Sequence, residues 1–208
     1  MQKNLRTPAP LLVRTSAKGP AIAPPTRGVT VVGVIMAVWC TGFAAISIWF
    51  EVTDHFHTGE YAANASGFSV ANWIVTVIKV VGATVALLAI SRRPRLLAPR
   101  AVGTLLWAGF ATTTVYVLGS LLQAALMITG LSGDADQITA ASVAYVLLFI
   151  VAAAGFGVLA FSFAHRADLG KREMLLGAFG APIVLGGVLI VVPTILAAVG
   201  LLPVGGQG

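Results

Sequence analysis

The chain has 208 residues, of which 58% are hydrophobic and 10% charged, with a formal net charge of +6 and a mean hydropathy of +0.94. An ordinary soluble domain carries roughly 25% charged residues, and thirteen basic plus seven acidic side chains cannot clothe a water-facing surface around this much apolar sequence. The composition excludes a soluble globular fold and predicts an all-α integral membrane protein.

Residues 1–27 hold Lys3, Arg6, Arg14, Lys18 and Arg27, no acid, and prolines at 8, 10, 20, 24 and 25. Such a stretch can neither bury itself nor sustain a helix, so a disordered basic tail is expected. The proline spacing also spoils the amphipathic helix of a transit peptide.

Five apolar runs follow, at about 29–50, 70–90, 102–128, 139–163 and 174–201. Each reaches or exceeds the roughly 20 residues needed to cross about 30 Å of hydrocarbon as a helix. A bundle of about five transmembrane helices spanning 28–202 is expected, with 203–208 as a short tail. The first run is too long for the apolar core of a signal peptide and is read as a retained span.

The basic residues set the orientation. Five lie in the tail, four in 91–100 (Arg92, Arg93, Arg95, Arg100), three in 165–173 (Arg166, Lys171, Arg172) and one, Lys79, inside a span. The segments 51–69, 129–138 and the stretch after 201 have none. Cationic loops resist translocation, so the N-terminus is expected in the cytoplasm and the C-terminus outside. Glu51, Asp54, Glu60, Asp134 and Asp136 all fall on the outer side of this scheme, and Trp49 and Trp73 flank the first outer loop as an interfacial belt would. Confined to short topogenic segments, the positive charge does not point to nucleic acid.

Small residues recur at four-residue spacing: Gly33, Ala37, Thr41 and Ala45 in the first run, Gly82 and Ala86 in the second, Ala153 and Gly157 in the fourth, Gly177 and Ala181 in the fifth. Such rows let helix backbones approach closely. The fifth run also holds Pro182, Gly186, Gly187 and Pro193, so a kink or a locally unwound turn is expected there. Cys40, the single cysteine, reads as a small packing residue.

Lys79 is the most informative polar residue, because a cation near mid-membrane costs on the order of 2.5–3.5 kcal/mol even on the lenient insertion scale. Asn72, Thr76 and Lys79 share one helical face, which should turn into the bundle. The third run offers Thr112, Tyr116, Ser120 and Gln123 on a face of its own, and Tyr116 or Gln123 is the expected partner of Lys79. Together these seven residues form a candidate intramembrane polar site. A second candidate is the segment Glu51, Asp54, His55, His57, Glu60, five potential ligands in ten residues whose nitrogen and oxygen donors suit zinc or copper.

Asn64-Ala65-Ser66 matches an N-glycosylation pattern that matters only in a eukaryotic host, and His165 sits where an interfacial residue is expected. The sequence contains no intramembrane histidine pair for haem, no P-loop, no G-x-S-x-G and no HExxH, so neither a cofactor nor a catalytic residue is implied.

The basic, proline-containing tail, the Ala/Gly/Val-rich spans and the preference for Arg over Lys, nine to four, resemble the small polytopic membrane proteins of unknown function found in high-GC actinobacteria. That resemblance implies a bacterial plasma membrane and adds no activity, cofactor or site residue. Three functions stay open: an accessory or scaffold subunit working with membrane-protein partners or as a homo-oligomer in the lipid bilayer; a small transporter or channel built on Lys79; or a metal-binding or enzymatic protein built on residues 51–60.

Overall fold

The computed structural model describes residues 22–91 and 97–198, without the side chains of 60, 61, 63, 188–194 and 196–198. The expected tail and the last residues of the chain lie outside the described part for the most part. Five helices carry the fold: α1 Arg27–Val52, α2 Ala65–Ile90, α3 Pro99–Ile128, α4 Ala140–Arg166 and α5 Lys171–Ala198. No strand occurs among the described residues. Helices α1 to α4 are long and apolar enough to cross a membrane, and the chain is a multi-pass membrane protein.

Local chemistry sets the helix ends. The Thr26 hydroxyl accepts from the Val29 amide at the start of α1, and the Thr139 hydroxyl accepts from the Ser142 amide at the start of α4, each occupying one of the four backbone donors a helix start leaves open. Pro99 opens α3, where its fixed φ is an asset and its missing N–H costs nothing. Helix α3 ends on Gly130 at φ 71°, with Leu131 N donating to Leu126 O at 2.9 Å and Gly130 N to Met127 O at 3.1 Å. This is the left-handed cap that glycine takes without strain. Helix α4 ends the same way on Asp168 at φ 48°, with Leu169 N donating to Ala164 O. The cap throws Leu169 against Gly103 of α3. Glycine at 103 leaves the space that Leu169 fills.

Helices α1, α2, α3 and α4 form a ring, each packed on its two neighbours, and α5 lies outside it along α3. The shared core is Met36, Cys40, Val85, Ala86, Ala89, Val102, Leu106, Trp107, Phe156, Leu159, Ala160 and Phe163. These residues lie in the N-terminal parts of α1 and α3 and the C-terminal parts of α2 and α4, so the core is concentrated at the end bearing the basic segments. Arg166 locks that end. Its guanidinium donates to Ala89 O at the close of α2 (3.0 Å), to Ala23 O ahead of α1 (3.2 Å) and to Ser162 O of its own helix, supplying a cation to helix-terminal carbonyls. Arg100 reaches Glu173 of α5 at 3.4 Å from the same end.

The antiparallel α1–α2 pair is a coiled-coil seam. On α1 the stripe reads Gly33, Ala37, Cys40, Ala44, Ser47, Glu51, and on α2 it reads Ser69, Asn72, Thr76, Lys79, Ala83, Ala86, Ile90, with alternating spacings of four and three. That 3.5-residue period keeps one stripe on its partner along the pair. Its register matches Gly33 with Ile90 and Cys40 with Gly82, where an added Cβ would lie 3.1 Å from the Cys40 sulfur. The expected row of small residues on α1 is corrected here: Gly33 and Ala37 are buried, whereas Thr41 and Ala45 are exposed. A strict four-residue row drifts about 40° around the helix per step, and after three steps it has left the interface. Cys40 does pack in the core as expected, and Gly157 and Gly177 are buried against α3. Helix α5 runs through Pro182 and Pro193 without a break in helical assignment, so no turn unwinds there.

Candidate functional site

The expected polar site is two sites. The first lies on the α1–α2 seam, where Lys79 Nζ donates to Ser47 Oγ at 2.6 Å and to Phe43 O at 3.3 Å. Ser47 is almost wholly buried. One turn further, Asn72 Nδ2 donates to Ser47 O at 2.9 Å and to Glu51 Oε1 at 2.8 Å, and Ser69 Oγ donates to Glu51 Oε2 at 2.6 Å. Thr76 is buried and returns its hydroxyl to Asn72 O of its own helix. Asn72, Thr76 and Lys79 thus share an inward face. The seam holds a cation near its middle and a carboxylate at its end, linked through Ser47 and Asn72.

The partner expected for Lys79 is corrected: its acceptors come from α1, and neither Tyr116 nor Gln123 reaches it. An aromatic wall explains the separation. The Phe43 ring lies 5.8 Å from Lys79 Nζ, and Phe43 in turn meets Tyr145 and Phe149 of α4, both at 6.1 Å between centroids. Tyr116 sits on the far side of that wall, 4.2 Å from Phe149. Side chains on a helix lean toward its N-terminus, so Lys79 extends toward the Glu51 end of the seam.

The second site is a cavity of about 530 Å³ between the C-terminal half of α3 and the N-terminal half of α4. Tyr116, Ser120 and Gln123 line it from α3, Gln137 from the connecting loop, and Ser142 and Tyr145 from α4, over an apolar floor that includes Leu121, Met127, Val146 and Ile150. Thr112 stands one turn below and does not border it.

The residues of the first connecting loop do not converge. Glu51 belongs to the last turn of α1 and spends both oxygens on the seam. His55 stacks on Phe50 with centroids 4.5 Å apart, and His57 Nδ1 lies 3.8 Å from Asp54 Oδ1 on an open surface. Glu60 falls in the short 3-10 turn Gly59–Asn64, with its side chain outside the described part. Among the described residues no three His, Cys, Asp or Glu side chains gather as metal ligands would.

Sequence reasoning missed Ser47 and under-read Glu51. The signal was there, because both fall on the four-three stripe that begins at Gly33 and can be laid antiparallel against Asn72 and Lys79. No known protein family, curated protein or solved structure matches this chain.

Proposed function

We propose that the chain is a non-catalytic accessory or scaffold subunit of an assembly in a bacterial plasma membrane, crossing it five times with the N-terminus in the cytoplasm. The observation that carries the reading is the closed end of the bundle. Val102, Leu106, Leu159, Ala160, Phe163, Ala86 and Ala89 have no solvent exposure, so packed side chains occupy the place where a path through the bundle would emerge. The one intramembrane cation is spent inside the fold on Ser47 and Phe43, which suits a structural part better than a carrier. Exposed Leu175, Leu176, Phe179, Ile183 and Val184 on α5, which starts beside the start of α3, support α5 as the fifth span.

Extracted from native membranes in mild detergent, the chain is expected to migrate with a second integral membrane protein in fixed ratio. Reconstituted alone, it should give liposomes no solute or ion flux above that of empty ones. Flux by the purified chain, lost on Lys79→Met, would replace this reading with a transporter.

The orientation has its own test. In a Cys40→Ser background, single cysteines at Thr58 and Ala135 should react with a membrane-impermeant maleimide on intact cells. Cysteines at Leu97 and Gly170 should react only after lysis. The inverse pattern would reverse the topology.

A further inference from the structure

We propose that the cavity between the outer halves of α3 and α4 binds an uncharged amphiphilic lipid, one with a hydroxyl- or carbonyl-bearing head and an aliphatic body, of the diacylglycerol kind. The site lies apart from the Lys79 seam, and the inference does not rest on the subunit reading.

Tyr116, Ser120, Gln123, Gln137 and Tyr145 all border this cavity, and none of their side-chain polar atoms has a hydrogen-bond partner among the described residues. Ser120 is half-buried and the other four are exposed, so their hydroxyls and amides stand open around one space. Those of α3 and α4 face hydrocarbon, where a polar group without a partner is costly, and a molecule that brings donors and acceptors would satisfy them. From Tyr116 to Met127 the α3 wall runs about 17 Å along the helix axis at 1.5 Å per residue. The space therefore extends from the interior of the membrane toward its surface, as a lipid does.

Its volume of about 530 Å³ falls within the range of small-molecule sites, roughly 300–1,000 Å³. That suits a glycerol head with the upper part of its chains, the rest lying in the bilayer along exposed Leu147, Ile150 and Leu121.

Charge selects the head. None of the lining residues is Lys, Arg, His, Asp or Glu, and the loop at the mouth carries Asp134 and Asp136 with no basic residue from 129 to 139. An anionic head would meet two carboxylates and no cation, and a buried charge without a partner is disfavoured. Hydroxyl and ester groups match amide and phenol donors and acceptors without that cost.

The test uses the full chain in nanodiscs with diazirine-bearing diacylglycerol, and with phosphatidylglycerol carrying the diazirine at the same chain position, the crosslinks being mapped by peptide mass spectrometry. Diacylglycerol crosslinks are expected to concentrate in 116–127 and 138–150. They should fall at least fivefold in Ser120→Leu/Gln123→Leu, while labelling of the lipid-facing sides of α1 and α2 stays constant. Val143→Trp, which fills the space without removing a polar group, should lower them as well. Unselective labelling of all helices, insensitivity to both variants, or equal enrichment of phosphatidylglycerol would overturn the proposal. So would spontaneous dimerisation through Gln123→Cys in a Cys40→Ser background, which would assign the space to a second copy of the chain.

Discussion

Gly177→Leu is expected to release α5 from the bundle and to be among the most damaging single substitutions in the chain. A Cβ at 177 would lie 2.6 Å from Trp107 Cβ and 3.1 Å from the Ala108 amide nitrogen of α3, and would run into the Thr104 carbonyl as well. Two of these obstacles are helix backbone, which cannot rotate away as a side-chain tip can. Overpacking a fitted contact costs about 1–3 kcal/mol when side chains can adjust, and the upper end or beyond applies where they cannot. If α5 is the proposed fifth span, lipid also removes the usual compensation, since its displaced apolar face is as well solvated by acyl chains as by α3. Gly180→Leu is the control, because nothing stands within 4 Å of its added Cβ, and it should leave packing intact. The measurement is a short bifunctional maleimide joining Arg100→Cys to Glu173→Cys in a Cys40→Ser background. The crosslink should form in the parent and in Gly180→Leu, and should be lost in Gly177→Leu. Retention of the crosslink together with an unchanged thermal midpoint in detergent would show that the α3–α5 contact contributes nothing to the fold.

Four of the five expected spans, α1 to α4, were readable in the sequence because lipid leaves little choice. A helix of 26 residues, as α1 and α2 are, is about 39 Å long and satisfies its own backbone across the hydrocarbon, so apolar length alone announces it. Helix α2 starts at Ala65, earlier than the expected 70, because Ser69 and nearby polar residues pack on α1 instead of lying in a loop. Hydropathy measures transfer to lipid and is blind to a polar side chain that faces another helix.

Partner choice was less legible for the same reason. Lys79 was assignable to the bundle interior from its cost, but depth pointed to Tyr116 or Gln123 of α3, and depth does not tell one neighbouring helix from another. What decides is period: Gly33 to Glu51 and Ser69 to Ile90 repeat at 3.5 residues, whereas Thr112, Tyr116, Ser120 and Gln123 follow spacings of four, four and three that carry them toward α4. Of the α3–α4 cavity, Tyr116, Ser120 and Gln123 were readable as one face of α3, whereas Gln137, Ser142 and Tyr145 across from them share no spacing with that face and were not.

The seam should respond asymmetrically to loss of its two halves. Ser47→Ala takes only the hydroxyl from a buried side chain and with it the 2.6 Å acceptor of the Lys79 ammonium, leaving the Phe43 carbonyl at 3.3 Å as the other acceptor. Hydrogen bonds to charged groups contribute about 1.5–3 kcal/mol, and an ammonium stripped of its acceptor in a low-dielectric setting adds part of its desolvation cost. A loss of about 2–3 kcal/mol is therefore expected for Ser47→Ala. Lys79→Met removes the charge along with its needs. It leaves Ser47 a hydroxyl that can turn to a carbonyl of its own helix, as Thr41 does toward Ala37 at 2.8 Å, and replaces the lysine stem with an apolar chain of similar length. Replacing a buried ionic partnership with apolar packing is often neutral or stabilising, so Lys79→Met should fall within about 1 kcal/mol of the parent on either side. Combining them should erase the defect, because alanine at 47 is harmful only while an ammonium faces it, and the coupling between the two positions should approach the full cost of Ser47→Ala. The readout is the midpoint of thermal unfolding in one detergent for the parent, both single variants and the double variant. Additive effects, or a Lys79→Met loss as large as that of Ser47→Ala, would mean that the Ser47–Lys79 bond does not organise the seam.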